Sequence, residues 1–411
     1  MVDISNIRNF TVVGTGFMGY GISHVALLGG FDKVTIYDIN KDKLNHSAKQ
    51  IQIGIRRCEE LEKLREGKTA NSLMRNLHLE LDLRNAVKDA DFVIEVVPEI
   101  LDIKREIFKK LGQYAPNHAI LATNTSTMSI TKIGEPSGRI KKVLGMHFIP
   151  PVIASRLIEI GKGVKTSDET MDIGFIICQK LPCMNGERYI ARIEKESPGY
   201  ILNRLLCVLF LYAGWIGEQA LKQGIPWEQL DADIKMLEDQ IGIFEIMDYI
   251  GLDIAYYALK SFEKSISPEF EPYAFLKEMV DRGDLGAKTG KGFYKWPKGE
   301  RYFFEWMKKW RPRNDASKKA GLMDMETALA VQLNEGCRLL DEGVASGYKV
   351  IDDVMSIGSR GYLPGPFTAG KRNYERWSKI LDNLAEKSGK NYFKPCDLMK
   401  SGDFVKMKKG R

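Results

Sequence analysis

The sequence predicts an α/β N-terminal domain built on a doubly wound sheet, followed by an all-α C-terminal region. Three observations carry this. Short apolar runs alternate with helical stretches over roughly the first 190 residues, the order expected of a parallel sheet with helices on both faces. The first two runs and the helix between them occupy about 30 residues, the size of a parallel crossover. Past Ser197-Pro198-Gly199 the texture becomes almost wholly helical.

The elements follow in order. Residues 10–13 read as a first strand, 20–28 as a helix and 34–37 as a second strand closed by Asp38. The stretch 44–77, rich in both charges, reads as a helical hairpin turning near Gly67. Runs 92–97 and 119–123 supply two further strands around a helix at 102–111, and runs 143–148 and 156–160 flank a loop holding Pro150 and Pro151. Serine before proline suits a helix start, because the first turn has no use for the donor that proline lacks. In the helical part, 201–220 with Gly224 and Gly242 echoes 327–344 with Gly347 and Gly365. Two related helical units are expected, joined by the aromatic and basic segment 295–319. The expected domains are residues 1–193, 194–298 and 322–411.

Composition excludes several classes. Apolar residues make up 44% and charged residues 28% of the 411, the balance of a globular protein. The net charge of +7 is mild and acids are scattered among the bases, which argues against a nucleic-acid surface. No run reaches the ~18 apolar residues of a membrane span, and 205–216 suits a buried helix. The N-terminus enters a strand pattern at once, leaving no room for a secretory signal. Six cysteines without a CxxC pair read as reduced thiols of a cytoplasmic protein. No His, Cys and carboxylate cluster has zinc-site spacing, so no metal is expected.

The segment Gly14-Thr15-Gly16-Phe17-Met18-Gly19 follows an apolar run and opens a helix, and Asp38 ends the next run. Gly14 permits a tight turn, Gly16 lets a pyrophosphate approach the backbone, and Gly19 lets helix and strand pack closely. A carboxylate at Asp38 binds ribose hydroxyls and repels a 2′-phosphate, which favours NAD over NADP. The domain is therefore expected to be Rossmann-type. The segment 286–292 is not a phosphate loop: it lacks the four-residue gap and has Gly292 where Ser or Thr would bind magnesium.

Of five histidines, at 24, 46, 78, 118 and 147, the first three read as structural or solvated and His118 falls in a turn. His147 closes an apolar run before the proline loop, at the end of a strand where open α/β sheets bind ligands. Glu159 sits in the apolar run Leu157-Ile158-Glu159-Ile160, out of place unless paired. If the two runs form a hairpin, the side chains meet, giving either a base oriented by a carboxylate or a structural ion pair. Asn124, Ser126 and Asn203 are neutral donors suited to a substrate oxygen, although each, standing alone, is more often a cap or a surface polar group.

These segments, with Gly145-Met146-His147-Phe148, Ser197-Pro198-Gly199-Tyr200-Ile201-Leu202-Asn203-Arg204, Asp248-Tyr249-Ile250-Gly251-Leu252-Asp253 and Lys288-Thr289-Gly290-Lys291-Gly292-Phe293-Tyr294, resemble the 3-hydroxyacyl-CoA dehydrogenase family over residues 6–296. The tail from about 322 resembles a second copy of its C-terminal helical domain. The resemblance implies oxidation of (S)-3-hydroxyacyl-CoA thioesters by NAD in fatty-acid β-oxidation chemistry. It implies His147 as base, Glu159 as its orienter, and Ser126 and Asn203 on the 3-oxygen. Gly14, Gly16, Phe17, Met18, Gly19, Asp38, Glu99, Lys104 and Asn124 fall on the cofactor side. Arg56, Lys63 and Lys68 would steer the CoA phosphates or form a solvated face.

Three departures stand out: Ile149-Pro150-Pro151 where the family has Asn-Pro, Gly242-Ile243-Phe244 where a Gly-Pro-Phe turn is common, and a short substrate hairpin. Two rival readings remain, a dehydrogenase of a free hydroxy acid such as a sugar acid and a non-catalytic NAD-binding protein. A monomer or a homodimer is expected.

Overall fold

A computed structural model describes residues 7–235, 241–296 and 318–407. The chain divides into two compact units, Met1–Tyr200 and Ile201–Arg411. Most of the joining segment expected at 295–319 lies outside the described residues, as does Gln240.

The first unit is an eight-stranded sheet of order β3-β2-β1-β4-β5-β6-β7-β8. Its strands are β1 (Asn9–Val13), β2 (Lys33–Tyr37), β3 (Leu77–Glu80), β4 (Phe92–Glu95), β5 (Ile120–Thr123), β6 (Val143–Phe148), β7 (Leu157–Lys162) and β8 (Tyr189–Ile193). β1 to β6 are mutually parallel, β7 runs antiparallel to β6, and β8 parallel to β7. Helices α1 (Phe17–Leu28) and α2 (Lys41–Glu60) pack against one another beside the sheet. Val12, Ile36 and Ile94 from the strands meet Ile22, Val25 and Ile51 from these helices in one buried core. Phe10 joins Phe31 and Phe92, with ring centroids 5.0 and 5.2 Å apart.

Six of these strands are the expected apolar runs. β3 and β8 are not, and both form edges of the sheet. The second arm of the expected hairpin 44–77 is instead the five-residue helix Ala70–Met74 leading into β3. An edge strand buries little, so β3 carries no apolar run: none of its four residues is fully buried.

The second unit is built of helices joined by loops, with two isolated β-bridges, Gly286–Lys291 and Lys291–Lys295, among its described residues. Its first helix, Leu202–Gln223, has the length and mean hydropathy (1.3) of a membrane span, more than the sequence reading allowed, and 67% of its apolar window is buried inside the molecule. It starts after Ser197-Pro198, not at it. Gly199 and Tyr200 have φ of 83° and 51°, left-handed values that cannot open a right-handed helix.

Candidate active site

The carboxyl ends of β1, β4, β5 and β6 lie side by side, and the residues after them face one edge of the sheet. Between β1 and β4 the order of connection reverses, the place where such sheets bind ligands. The glycine loop is there. Gly14 has φ 106°, and a Cβ on Gly19 would stand 2.1 Å from the Gly14 carbonyl oxygen, so only glycine lets α1 come this close. Around Gly16 there is open space. α1 has no side-chain cap and no acid in its first turn, leaving N–H donors and the positive end of the helix dipole at the loop. Phe17 and Met18 form that first turn, with Phe17 exposed. Asp38 is fixed by the loop itself: one carboxylate oxygen accepts from the Thr15 amide at 3.1 Å and hydroxyl at 2.8 Å, the other from the Asn40 amide at 2.9 Å. An uncapped helix, an open glycine and an anchored, half-buried carboxylate suit a diphosphate joined to a ribose, and NAD fits these residues.

His147 and Glu159 are direct cross-strand partners in the β6–β7 pair. His147 Nδ1 stands 2.9 Å from Glu159 Oε2, with Glu159 fully buried. The hairpin condition set by the sequence is met. With Nδ1–H donating to the carboxylate, Nε2 is left as the basic nitrogen. Asn124 holds the backbone beside the base, its Oδ1 accepting from the Phe148 amide at 2.9 Å. The Pro150–Pro151 bond that follows is cis.

Ser126 lies beyond β5, and its hydroxyl makes no hydrogen bond among the described residues. Its amide donates to Glu99 Oε1 at 3.0 Å, and the same oxygen accepts from the Thr125 hydroxyl. Lys104 bridges Glu95 Oε1 at 2.8 Å and Glu99 Oε2 at 3.0 Å, and also donates to the Val97 carbonyl at 3.3 Å. The structure thus occupies all three Lys104 protons within the chain, where the sequence reading put it among cofactor contacts. This buried lysine holds Glu99, and Glu99 holds the Ser126 turn. Against partial desolvation by its neighbours, nearby Lys104 and hydrogen bonds from Thr125 and Ser126 keep the Glu99 carboxyl below its ordinary range. Glu95 escaped the sequence reading, although the signal used for Glu159, an acid inside an apolar strand, is equally present in Phe92-Val93-Ile94-Glu95. Asn203 is the second residue of the helix Leu202–Gln223 in the second unit.

A model of the 3-hydroxyacyl-CoA dehydrogenase NAD binding domain matches residues 9–183, and a model of that family's C-terminal domain matches 199–296. The chain belongs to the 3-hydroxyacyl-CoA dehydrogenase family. Hydroxyacyl-coenzyme A dehydrogenase, mitochondrial, of Rattus norvegicus is 32% identical over 297 residues, 71% of this chain and 91% of that one. The crystal structure of (S)-3-hydroxybutyryl-CoA dehydrogenase from Ralstonia eutropha is 30% identical with a TM-score of 0.63, covering 71% of this chain and 100% of the other. That of 3-hydroxybutyryl-CoA dehydrogenase from Escherichia coli K12, 24% identical with a TM-score of 0.77, covers 97% and 99%. The last likeness shows that the fold extends through the tail, beyond the family match.

Proposed function

We propose that the chain oxidises (S)-3-hydroxyacyl-CoA thioesters reversibly to their 3-oxoacyl counterparts with NAD. The observation that carries this is the buried His147–Glu159 pair at the end of β6, on the same edge as the glycine loop. When bound, NAD supplies the acceptor for the hydride leaving C3. His147 Nε2 takes the proton of the 3-hydroxyl, and Glu159 stabilises the imidazolium so formed and fixes its ring. The Ser126 hydroxyl, set by Glu99, donates to the 3-oxygen. In the reverse direction the imidazolium returns its proton.

The same proposal takes residues 194–298 and 322–411 as tandem helical copies. Two matching anchors support it. In one, Asp231 accepts from the amides of Phe244 and Glu245. In the other, Asp352 accepts from those of Phe367 and Thr368.

The test is NADH oxidation with acetoacetyl-CoA beside acetoacetate. The expected result is turnover of the thioester alone, lowered about 10²–10⁴-fold in His147→Ala, the range for loss of a general acid–base. Equal turnover of the free acid, or an unimpaired His147→Ala enzyme, would overturn the assignment.

A further inference from the structure

The face of β6 and β7 that carries the dyad has an unusual neighbour to it. Side chains two apart on a strand share a face, and the pair next to His147–Glu159 on that face is Gly145–Gly161. Two facing glycines give the sheet a bare floor. The ring of Tyr200 lies on it: a Cβ on Gly145 would meet the Tyr200 hydroxyl at 2.1 Å, and one on Gly161 would meet Cε1 at 2.9 Å. From there the ring stacks on the His147 imidazole, with centroids 5.1 Å apart and planes 16° from parallel.

The backbone is bent to put it there. Tyr200 has φ 51°, a left-handed value rare for a bulky side chain. The turn is pinned by the Gly199 amide donating to the Ser126 carbonyl at 3.0 Å and the Tyr200 amide to the Ser197 carbonyl at 3.1 Å. The phenol oxygen is buried and makes no hydrogen bond among the described residues.

We propose that Tyr200 is a positioning residue for the base, its ring face holding the imidazole plane and favouring the imidazolium once His147 has taken the substrate proton. The proposal rests on the dehydrogenase reading. An aromatic face attracts a stacked cation through its quadrupole, and Glu159 attracts the same cation in the plane of the ring. The charged groups facing this assembly are Glu159 on β7, Glu99 and Glu196. Burial, reinforced by these three carboxylates, raises the Tyr200 phenol well above its ordinary value, so the ring stays neutral through the working range.

The experiment compares Tyr200→Phe and Tyr200→Leu with the wild-type enzyme. Tyr200→Phe keeps the face and is expected to retain kcat and the pH profile of kcat/KM. Tyr200→Leu is expected to lose about tenfold in kcat and move the acidic limb of the profile down by about one pH unit, the size of a desolvated cation–π contact. KM for NAD should not move. Gly161→Ala, whose methyl displaces the ring without altering Tyr200, covers the case in which the leucine variant fails to fold and should shift the profile in the same direction. A Tyr200→Leu profile superimposing on the wild type, or equal losses in both Tyr200 variants, overturns the proposal. Titration of the His147 imidazole by NMR without substrate separates the two readings. A lowered value in Tyr200→Leu sustains the stacking role even if the thioester proves not to be the substrate, and an unmoved value sinks it.

Discussion

His24, inside the cofactor helix, yields a pH-dependent stability that can be worked out in advance. It is buried, its ring lies so close to Gly54 of α2 that a Cβ there would be 2.6 Å away, and its Nε2 is 3.7 Å from the Cys58 sulfur. Burial lowers its pKa from 6.5 to about 4. The folded value lies below the unfolded one, so the contribution to stability is complete above pH 6.5 and is lost as pH falls towards 4. At about 1.4 kcal/mol per unit, the loss over that window is ~3 kcal/mol. His24→Leu, which cannot charge, should remove it. Hydrogen exchange of the α1 amides at pH 7.5 and pH 4 reads the local stability: wild type minus variant should change by ~3 kcal/mol between them. NADH affinity should weaken more steeply on acidification in wild type, because the α1 N-terminus offers the phosphate donors. A difference independent of pH, or a His24 titration near 6.5 by NMR, would refute the reasoning.

Two further outcomes are expected. Gly19→Ala should abolish NADH binding measured by fluorescence titration while the second unit keeps its thermal transition, since the new Cβ meets the Gly14 carbonyl at 2.1 Å; retained affinity would refute the close-approach argument. Arg204→Met should destabilise the second unit by ~1.5–3 kcal/mol in urea unfolding, the range for losing hydrogen bonds to charged groups, because Glu335 keeps Arg338 at 3.1 Å and the Tyr392 hydroxyl at 2.9 Å. Arg204 is buried against fully buried Glu335 and forks onto Glu342 with two bonds of 2.9 Å, and a loss below 1 kcal/mol would refute its role.

What the sequence disclosed follows from burial. β1, β2, β4, β5, β6 and β7 are almost wholly buried, so each appears as an apolar run. β3 and β8 are half-exposed edges, and no comparable run marks them. Glu159 was legible because a carboxylate among Leu157, Ile158 and Ile160 needs a partner. His147 as that partner depended on register, which a one-residue slip would have destroyed. Tyr200 was not legible as more than part of a motif. Its place depends on a left-handed turn and on two glycines 16 residues apart, facing each other only once β6 and β7 have paired. Nor was the Glu95–Lys104–Glu99 chain, whose members come from a strand, a helix and the loop between them.

The departure at Gly242-Ile243-Phe244 loses its force once the helix starts are compared. Helix Ile243–Ile250 is capped by Gly242 and helix Pro366–Gly370 by Gly365. In both, a buried aspartate from an earlier helix accepts from the second and third amides: Phe244 and Glu245 on Asp231 at 3.0 Å, Phe367 and Thr368 on Asp352 at 2.8 Å. Neither aspartate accepts from the first residue, the position at which proline's missing N–H costs nothing. Isoleucine at 243 and proline at 366 therefore serve the anchor alike. The glycines are the constrained positions, because a Cβ would stand 2.0 Å from the Asp231 carboxyl carbon at Gly242 and 2.4 Å from that of Asp352 at Gly365. Gly242 and Gly365 are thus the outward sign of a repeated carboxylate anchor, which fixes the helix that follows each glycine to the aspartate-bearing helix before it, whatever residue follows the cap.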